Sequence, residues 1–203
     1  MSFAFASYNA YGIVVSADRC LTGTSSSGER YTLTNNGRKL FLSKQGFAVA
    51  FTGCSSVAGF LAPAAIPDIL DSLDGPMRLT DFSSQFVASM SKLCRENMIF
   101  LIAGYQDGTP QIYTATTQKT ELVQMEGLAY SGESDLGKAI LCAVPVTYGT
   151  MTLQDRIDFH RFVTKTISNL QSYSDRIRTV SEACDVVAIE KQGIVLSAFS
   201  ELR

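Results

Sequence analysis

The sequence holds a single histidine, His160, no C-x-x-C pair and no run of Lys or Arg. It also lacks an apolar stretch of the roughly 18 residues that a membrane span needs. Each absence closes a class of function. One histidine is too few for a multi-histidine metal site, and His160, beside Arg156 and Arg161, reads as a solvated helix residue rather than a triad member. The formal net charge is -2 and no basic tract exists, so nucleic acid is not an expected partner. No G-x-S-x-G elbow is present, and the glycines of Gly23 to Gly28 precede Glu29-Arg30 instead of the Lys-Ser or Lys-Thr of a phosphate loop. No cofactor, metal or membrane partner is expected.

What is present is apolar. Hydrophobic residues make up 46% of the 203, and no linker rich in Pro, Gly or charge divides them, so residues 1–203 read as one domain. Cys20, Cys54, Cys94, Cys142 and Cys184 are odd in number, scattered and in apolar surroundings. That pattern suits free thiols in a reducing compartment, and with no positively charged leader the expectation is cytoplasmic.

The periodicity predicts hairpins first: Phe3 to Ser7 with Gly12 to Ala17, then Lys39 to Ser43 with Phe47 to Thr52, separated by a mobile Gly23 to Gly28 loop. From Ser55 the period lengthens to that of a helix. A first helix starts with Val57, Phe60 and Leu61 and is bent at Pro63 and Pro67; a second opens at Thr80 with Phe82, Phe86, Val87 and Met90 in one stripe. Strands over 98–105 and 111–116 turn at Asp107-Gly108, and 121–125 and 128–130 continue the sheet. Helices follow from Ser131 through Val144 and after Thr152, and a last hairpin joins 185–190 to 193–199. Strands, helices, strands, helices, strands is an α+β order that two facing sheets between helix layers would satisfy.

The chemistry gathers at the beginning. If Met1 is removed, Ser2 carries a hydroxyl and a free α-amine on one carbon framework. The amine titrates near 7.7–8.0 and can take the hydroxyl proton, so nucleophile and base need no histidine. Ser after Met is also a common start for any protein. A buried strand ends in Asp18, sixteen residues after Ser2; Lys39 opens the next hairpin and Gly53, fourteen residues later, closes it.

These four positions together resemble the proteasome β-subunit and its relatives among the N-terminal nucleophile (Ntn) hydrolases, a threonine-type peptidase family. The resemblance implies a four-layer α/β/β/α sandwich and gives each residue a role. Ser2 would be the nucleophile, Asp18 would orient Lys39, and Lys39 would lower the pKa of the hydroxyl. Gly53 would offer its backbone N–H to the oxyanion, and Ser131-Gly132 resembles the turn that supports the N-terminal amine, though Ser131 equally reads as a helix-starting turn residue. Ser181 falls near the family's last serine, but Arg178 stands where its acidic partner is usual, and Cys20 where an arginine is usual after the aspartate.

By the same resemblance, Thr22 and Gly53 would bond an extended peptide, and Leu21, Phe51 and Ser55 would line a shallow apolar pocket. The implied partners are a peptide or protein substrate and further copies of the chain in a homo-oligomeric ring, with a regulatory ATPase left open. The implied activity is cleavage of a peptide or amide bond through an ester on Ser2. Two rivals stay open: a non-catalytic ring or scaffold subunit of the same fold, which the missing acid favours, and acyl transfer to an amine instead of water.

Overall fold

The computed structural model describes residues 2–143, 147–174 and 177–198. In chain order it runs β1 (Phe3–Asn9), β2 (Gly12–Asp18), β3 (Leu21–Thr24), β4 (Arg30–Thr34), β5 (Leu40–Leu42), β6 (Ala48–Gly53), β7 (Ser56–Val57), β8 (Phe60–Leu61), α1 (Ala62–Ser72) and α2 (Leu79–Leu93). Then come β9 (Met98–Gln106), β10 (Thr109–Thr116), β11 (Val123–Met125), β12 (Leu128–Gly132), α3 (Ser134–Ala143), α4 (Leu153–Ser172), β13 (Cys184–Glu190) and β14 (Gly193–Ala198). The class is α+β. Most of the regular structure is antiparallel sheet, with four helices among the described residues. Val144 and Phe199, which the sequence suggests as element ends, lie outside the described residues.

Two five-stranded sheets carry the core, in the orders β12-β1-β2-β13-β14 and β11-β10-β9-β6-β5. One apolar cluster takes Ala4, Ala6, Ile13, Val15 and Val187 from the first sheet and Leu40, Ala48, Ala50, Leu101 and Ala103 from the second. The many alanines let the two backbones approach closely. The opposite face of β1 sends Phe3 and Phe5 against Leu141 of α3 and Val163 and Ile167 of α4. On the second sheet, Phe51, Phe100 and Ile102 pack with Ile66 of α1 and Phe82 and Phe86 of α2. Strands covered on both faces carry apolar runs instead of alternation, which is how β1, β2, β6 and β9 read in sequence.

Three expectations need correction. The helix expected to include Val57, Phe60 and Leu61 is instead the β7–β8 hairpin, because Ala58 and Gly59 turn the chain at φ +51° and +84°. α1 starts only after Leu61, with Pro63 in its first turn, where a missing N–H costs nothing. The 23–28 stretch is the tip of a paired β3–β4 hairpin and not just a loop.

The third correction is His160, which is not solvated but wholly buried. Its ring stacks on Phe5 at 3.9 Å, Nε2 meets the Ser7 hydroxyl at 2.8 Å and Nδ1 meets the Ser16 hydroxyl at 2.9 Å. Arg156, one turn earlier, is also buried and donates to the carbonyls of Ser7 and Gly12 at 3.2 and 3.0 Å. The charged spacing that suggests a solvent face in fact pins α4 to β1 and β2. Burial, then the neighbouring Arg156 charge, holds the imidazole well below its usual pKa.

Candidate active site

The start of β1, the end of β2 and the residue ahead of β5 converge. Ser2 and Asp18 belong to the first sheet, while Lys39 enters from the second. The Lys39 ammonium donates to Ser2 Oγ at 2.8 Å and to Asp18 Oδ1 at 2.7 Å. All three side chains are buried, Asp18 and Lys39 completely and Ser2 to 5% exposure. A buried ammonium this close to a hydroxyl oxygen stabilises the negative charge that the oxygen gains as its proton leaves.

Asp18 is more than a partner for the lysine. Oδ1 also accepts from Phe3 N–H at 2.8 Å, and Oδ2 accepts from the N–H groups of Cys20 at 2.8 Å and Ser181 at 3.2 Å. One carboxylate therefore fixes the first strand beside Ser2, the turn after β2 and the 181 loop. Ser181 acts through this network: its hydroxyl donates to Ala183 C=O at 2.7 Å and accepts from Arg19 N–H at 2.8 Å. The Arg19 guanidinium meets Asp185 at 3.7 Å, and the buried Cys20 thiol is pushed up by burial and then by Asp18. Arg178 points elsewhere, to Ser168 on α4 and to Glu182.

Ser131 and Gly132 lie beside Ser2 because β12 pairs antiparallel with β1, Gly132 opposite Phe3. Gly132 sits at φ +100°, and a Cβ there would come within 1.7 Å of the Ser2 carbonyl oxygen, so only glycine lets the two backbones touch. Ser131 Oγ accepts from the Thr52 hydroxyl at 3.0 Å, tying β12 to the strand that ends in Gly53. Gly53 has its own backbone reason to be glycine: φ is +98° and a Cβ would stand 2.5 Å from Asn97 O.

Two residues at this site are missing from the sequence reading. Thr52 could have been found as the one polar side chain in the apolar run of β6, just before Gly53. Glu133 follows Ser131-Gly132 and looks like an ordinary acidic residue in the first turn of a helix. It is 4% exposed, its N–H donates to Ser2 C=O at 2.8 Å, and its carboxylate accepts from the Thr179 hydroxyl at 3.0 Å.

A cleft of about 480 Å³ is lined by Thr22, Arg30, Leu33, Gly53, Ser55 and Glu96 among others; it reaches Gly53, and Ser2, Asp18 and Lys39 do not line it. The Ser55 hydroxyl bridges it by donating to Thr22 C=O at 3.0 Å. Leu21 and Phe51 do not line it. Both are buried in the cluster shared with α1 and α2, since β6 turns Phe51 toward the helices, where it stacks with Phe41 at 6.5 Å. Of the three residues expected to line a pocket, only Ser55 does, in a cleft whose walls carry Tyr31, Leu33 and Leu61 as well as Arg30 and Glu96. Met1, whose removal the Ser2 chemistry requires, lies outside the described residues, and among those described no group of three or more His, Cys, Asp or Glu could hold a metal.

A scan of protein-family models and a search of curated proteins both return no match. Solved structures do match. The chain is similar to Anbu from Hyphomicrobium sp. strain MC1, with a TM-score of 0.71 and 17% identity over 97% of this chain and 86% of that one. It is also similar to Anbu from Yersinia bercovieri, described as an ancestral beta-subunit, with a TM-score of 0.64 and 16% identity over 92% and 80% of the two chains. Such identities establish a shared fold alone.

They also correct the resemblance drawn from the sequence. Where the four N-terminal positions suggested a proteasome β-subunit, the likeness found is to Anbu, in one case described as an ancestral beta-subunit, and the chain is mainly antiparallel sheet with few helices. Membership of the Ntn hydrolase superfamily does not follow from those positions, because the motif is short and a 16–17% likeness carries no family assignment. What stands is an α+β fold shared with Anbu. No helix among the described residues is long and apolar enough to cross a membrane.

Proposed function

We propose that the chain, a single domain over residues 1–203, is a hydrolase that cleaves a peptide or amide bond through an ester on Ser2 once Met1 is gone. The observation that carries this reading is the 2.8 Å hydrogen bond from buried Lys39 to Ser2 Oγ, with Asp18 holding the lysine at 2.7 Å. The α-amine takes the hydroxyl proton, Oγ bonds to the substrate carbonyl carbon, and the oxyanion gains donors, Gly53 N–H among them in this proposal. Collapse breaks the C–N bond, and the leaving amine takes the proton back from the α-ammonium. Water, deprotonated by the same amine, then hydrolyses the ester.

An extended peptide is proposed to occupy the cleft beside Gly53, bonded by Thr22 and Gly53 as an added strand. Arg30 and Glu96 on its walls suit polar side chains, and Tyr31, Leu33 and Leu61 suit apolar ones. Clusters on both outer sheet faces and between the sheets support a four-layer α/β/β/α arrangement. A likeness to an ancestral beta-subunit favours a proteasome-like homo-oligomer, and exposed Phe162 and Tyr173 supply apolar contact area for it.

The test is the intact mass of the purified protein with and without an electrophile that acylates hydroxyl nucleophiles, beside a Ser2→Ala control. Loss of Met1 and one adduct that the control lacks is the expected result. Retained Met1 in protein from its own host, with no adduct, would leave the second reading, a non-catalytic assembly subunit. Arg178 is the observation that favours that alternative, since it directs a cation to Ser168 and Glu182 where the resemblance called for an acid at the site.

A further inference from the structure

Glu133 is a buried carboxylate without a cation. Its residue is 4% exposed, and no lysine or arginine among the described residues pairs with it. Buried carboxylates are ordinarily paired, because an uncompensated charge away from water is costly. Arg178, one residue from Thr179, is near in sequence but spends its guanidinium on Ser168, Val180 C=O and Glu182. Lys39, the buried cation of the site, is given to Asp18 and Ser2.

The position of Glu133 is set from two sides. Its N–H donates to Ser2 C=O at 2.8 Å, so its backbone is in direct contact with the residue whose nitrogen would be freed. Its carboxylate accepts from Thr179 Oγ1 at 3.0 Å. Thr179 is in turn clamped by Gln171 of α4, whose amide donates to that hydroxyl and accepts from Thr179 N–H, both at 2.9 Å. Four buried groups in series hold one negative charge at the start of the chain.

We infer that Glu133 is a positioning residue that pairs with the α-ammonium of Ser2 after Met1 is removed, setting its orientation and raising its pKa. This rests on the proposed role of Ser2. The carboxylate stabilises the ammonium, orients it, and sets the pH at which the amine becomes a base. An opposite charge within about 4–6 Å shifts a pKa by about one unit or more.

The experiment is an NMR titration of the Ser2 α-amine in Met1-free protein, wild type beside Glu133→Gln, with the rate of Ser2 adduct formation followed over the same pH range. Removal of the charge is expected to move the amine midpoint, and with it the acid limb of the adduct rate, about one pH unit lower. An unchanged midpoint in a folded Glu133→Gln protein overturns the pairing. Should that variant not fold, thermal unfolding of wild type with and without Met1 decides. Because the pairing raises the amine pKa in the folded state, the stability gained on Met1 removal is present below about 7.7–8.0 and lost as pH rises through the folded value. An identical pH dependence of the two forms would overturn it. A midpoint shift without any adduct sinks the hydrolase reading and keeps the pairing; an adduct without a shift does the reverse.

Discussion

His160 gives the sharpest test of the packing, because it is the only histidine and its titration is isolated. The folded imidazole is held neutral by burial and by Arg156, well below 6.5, while the unfolded one titrates normally. Below pH 6.5 the unfolded chain therefore binds a proton that the folded chain refuses. Since the folded pKa is depressed, the stabilisation is complete above the unfolded value. It is lost progressively as pH falls from about 6.5 toward the folded value. Between pH 7.5 and 5.0 the loss from this one residue has a ceiling of about 2 kcal/mol, set by the unfolded value, which for a chain of this length lowers Tm by up to about 4–8 °C.

The assay is urea or thermal unfolding at both pH values for wild type and His160→Gln. At pH 7.5 the variant is expected to be less stable, since Ser7 and Ser16 lose their ring partners at a cost of about 1–3 kcal/mol each. Its pH dependence over the same range should be flatter by up to about 2 kcal/mol. Equal losses for the two proteins would refute the reasoning, as would an imidazole signal that titrates near 6.5 in the folded wild type.

Asp18→Asn keeps the shape of the side chain but presents an NH2 to at least one of the donors now bonded to its two oxygens, and leaves Lys39 buried without its counter-charge. A loss of about 3–5 kcal/mol is expected by chemical denaturation; a stability within 1 kcal/mol of wild type would show that the network relaxes freely. Gly132→Ala must push Ser2 O away from a contact of 1.7 Å, whereas Gly28→Ala, at φ +84° with open space around it, meets only the left-handed strain of about 1–2 kcal/mol. The first should cost several times the second in unfolding free energy and displace Ser2 from Lys39. Equal costs would mean that the Ser2–Gly132 contact is soft.

How far the sequence carried depends on which force sets each element. β1, β2, β6 and β9 are legible because burial on both faces leaves long apolar runs. The turn at Asp107-Gly108 is legible because both residues take positive φ there, +54° and +75°. The stripe of α2 reads correctly through Met90, and its end is decided by tertiary packing, which buries Cys94 and leaves Leu93 outside. The β7–β8 hairpin is not legible: Val57, Phe60 and Leu61 have helical spacing, and only the backbone at Ala58 and Gly59 overrules it. His160 and Arg156 mislead for a related reason, since polar residues on a helix normally face water. Here the receiving sheet offers serine hydroxyls and strand carbonyls that satisfy them. At the site, Ser2, Asp18 and Lys39 are visible as residue types at separated positions, while Glu133 is invisible because its meaning depends on touching Ser2 across β1 and β12. Phe51 shows the converse error, a residue near Gly53 in sequence that its strand turns to the opposite face.

The buried Asp18–Lys39 pair bears on the choice between catalysis and assembly. Taking both charges out of water is costly, and a well-packed apolar pair of similar size is often as stabilising or more so. Asp18 has a structural reason to exist apart from chemistry, because three backbone N–H groups, those of Phe3, Cys20 and Ser181, converge on it and would otherwise be left without that acceptor. Lys39 has a structural reason as well, since its ammonium neutralises that buried carboxylate, and its other contact is the hydroxyl of Ser2. Neutralising Asp18 accounts for the charge of Lys39, and what the hydrolase reading adds is an account of its second contact, the 2.8 Å bond to Ser2 Oγ.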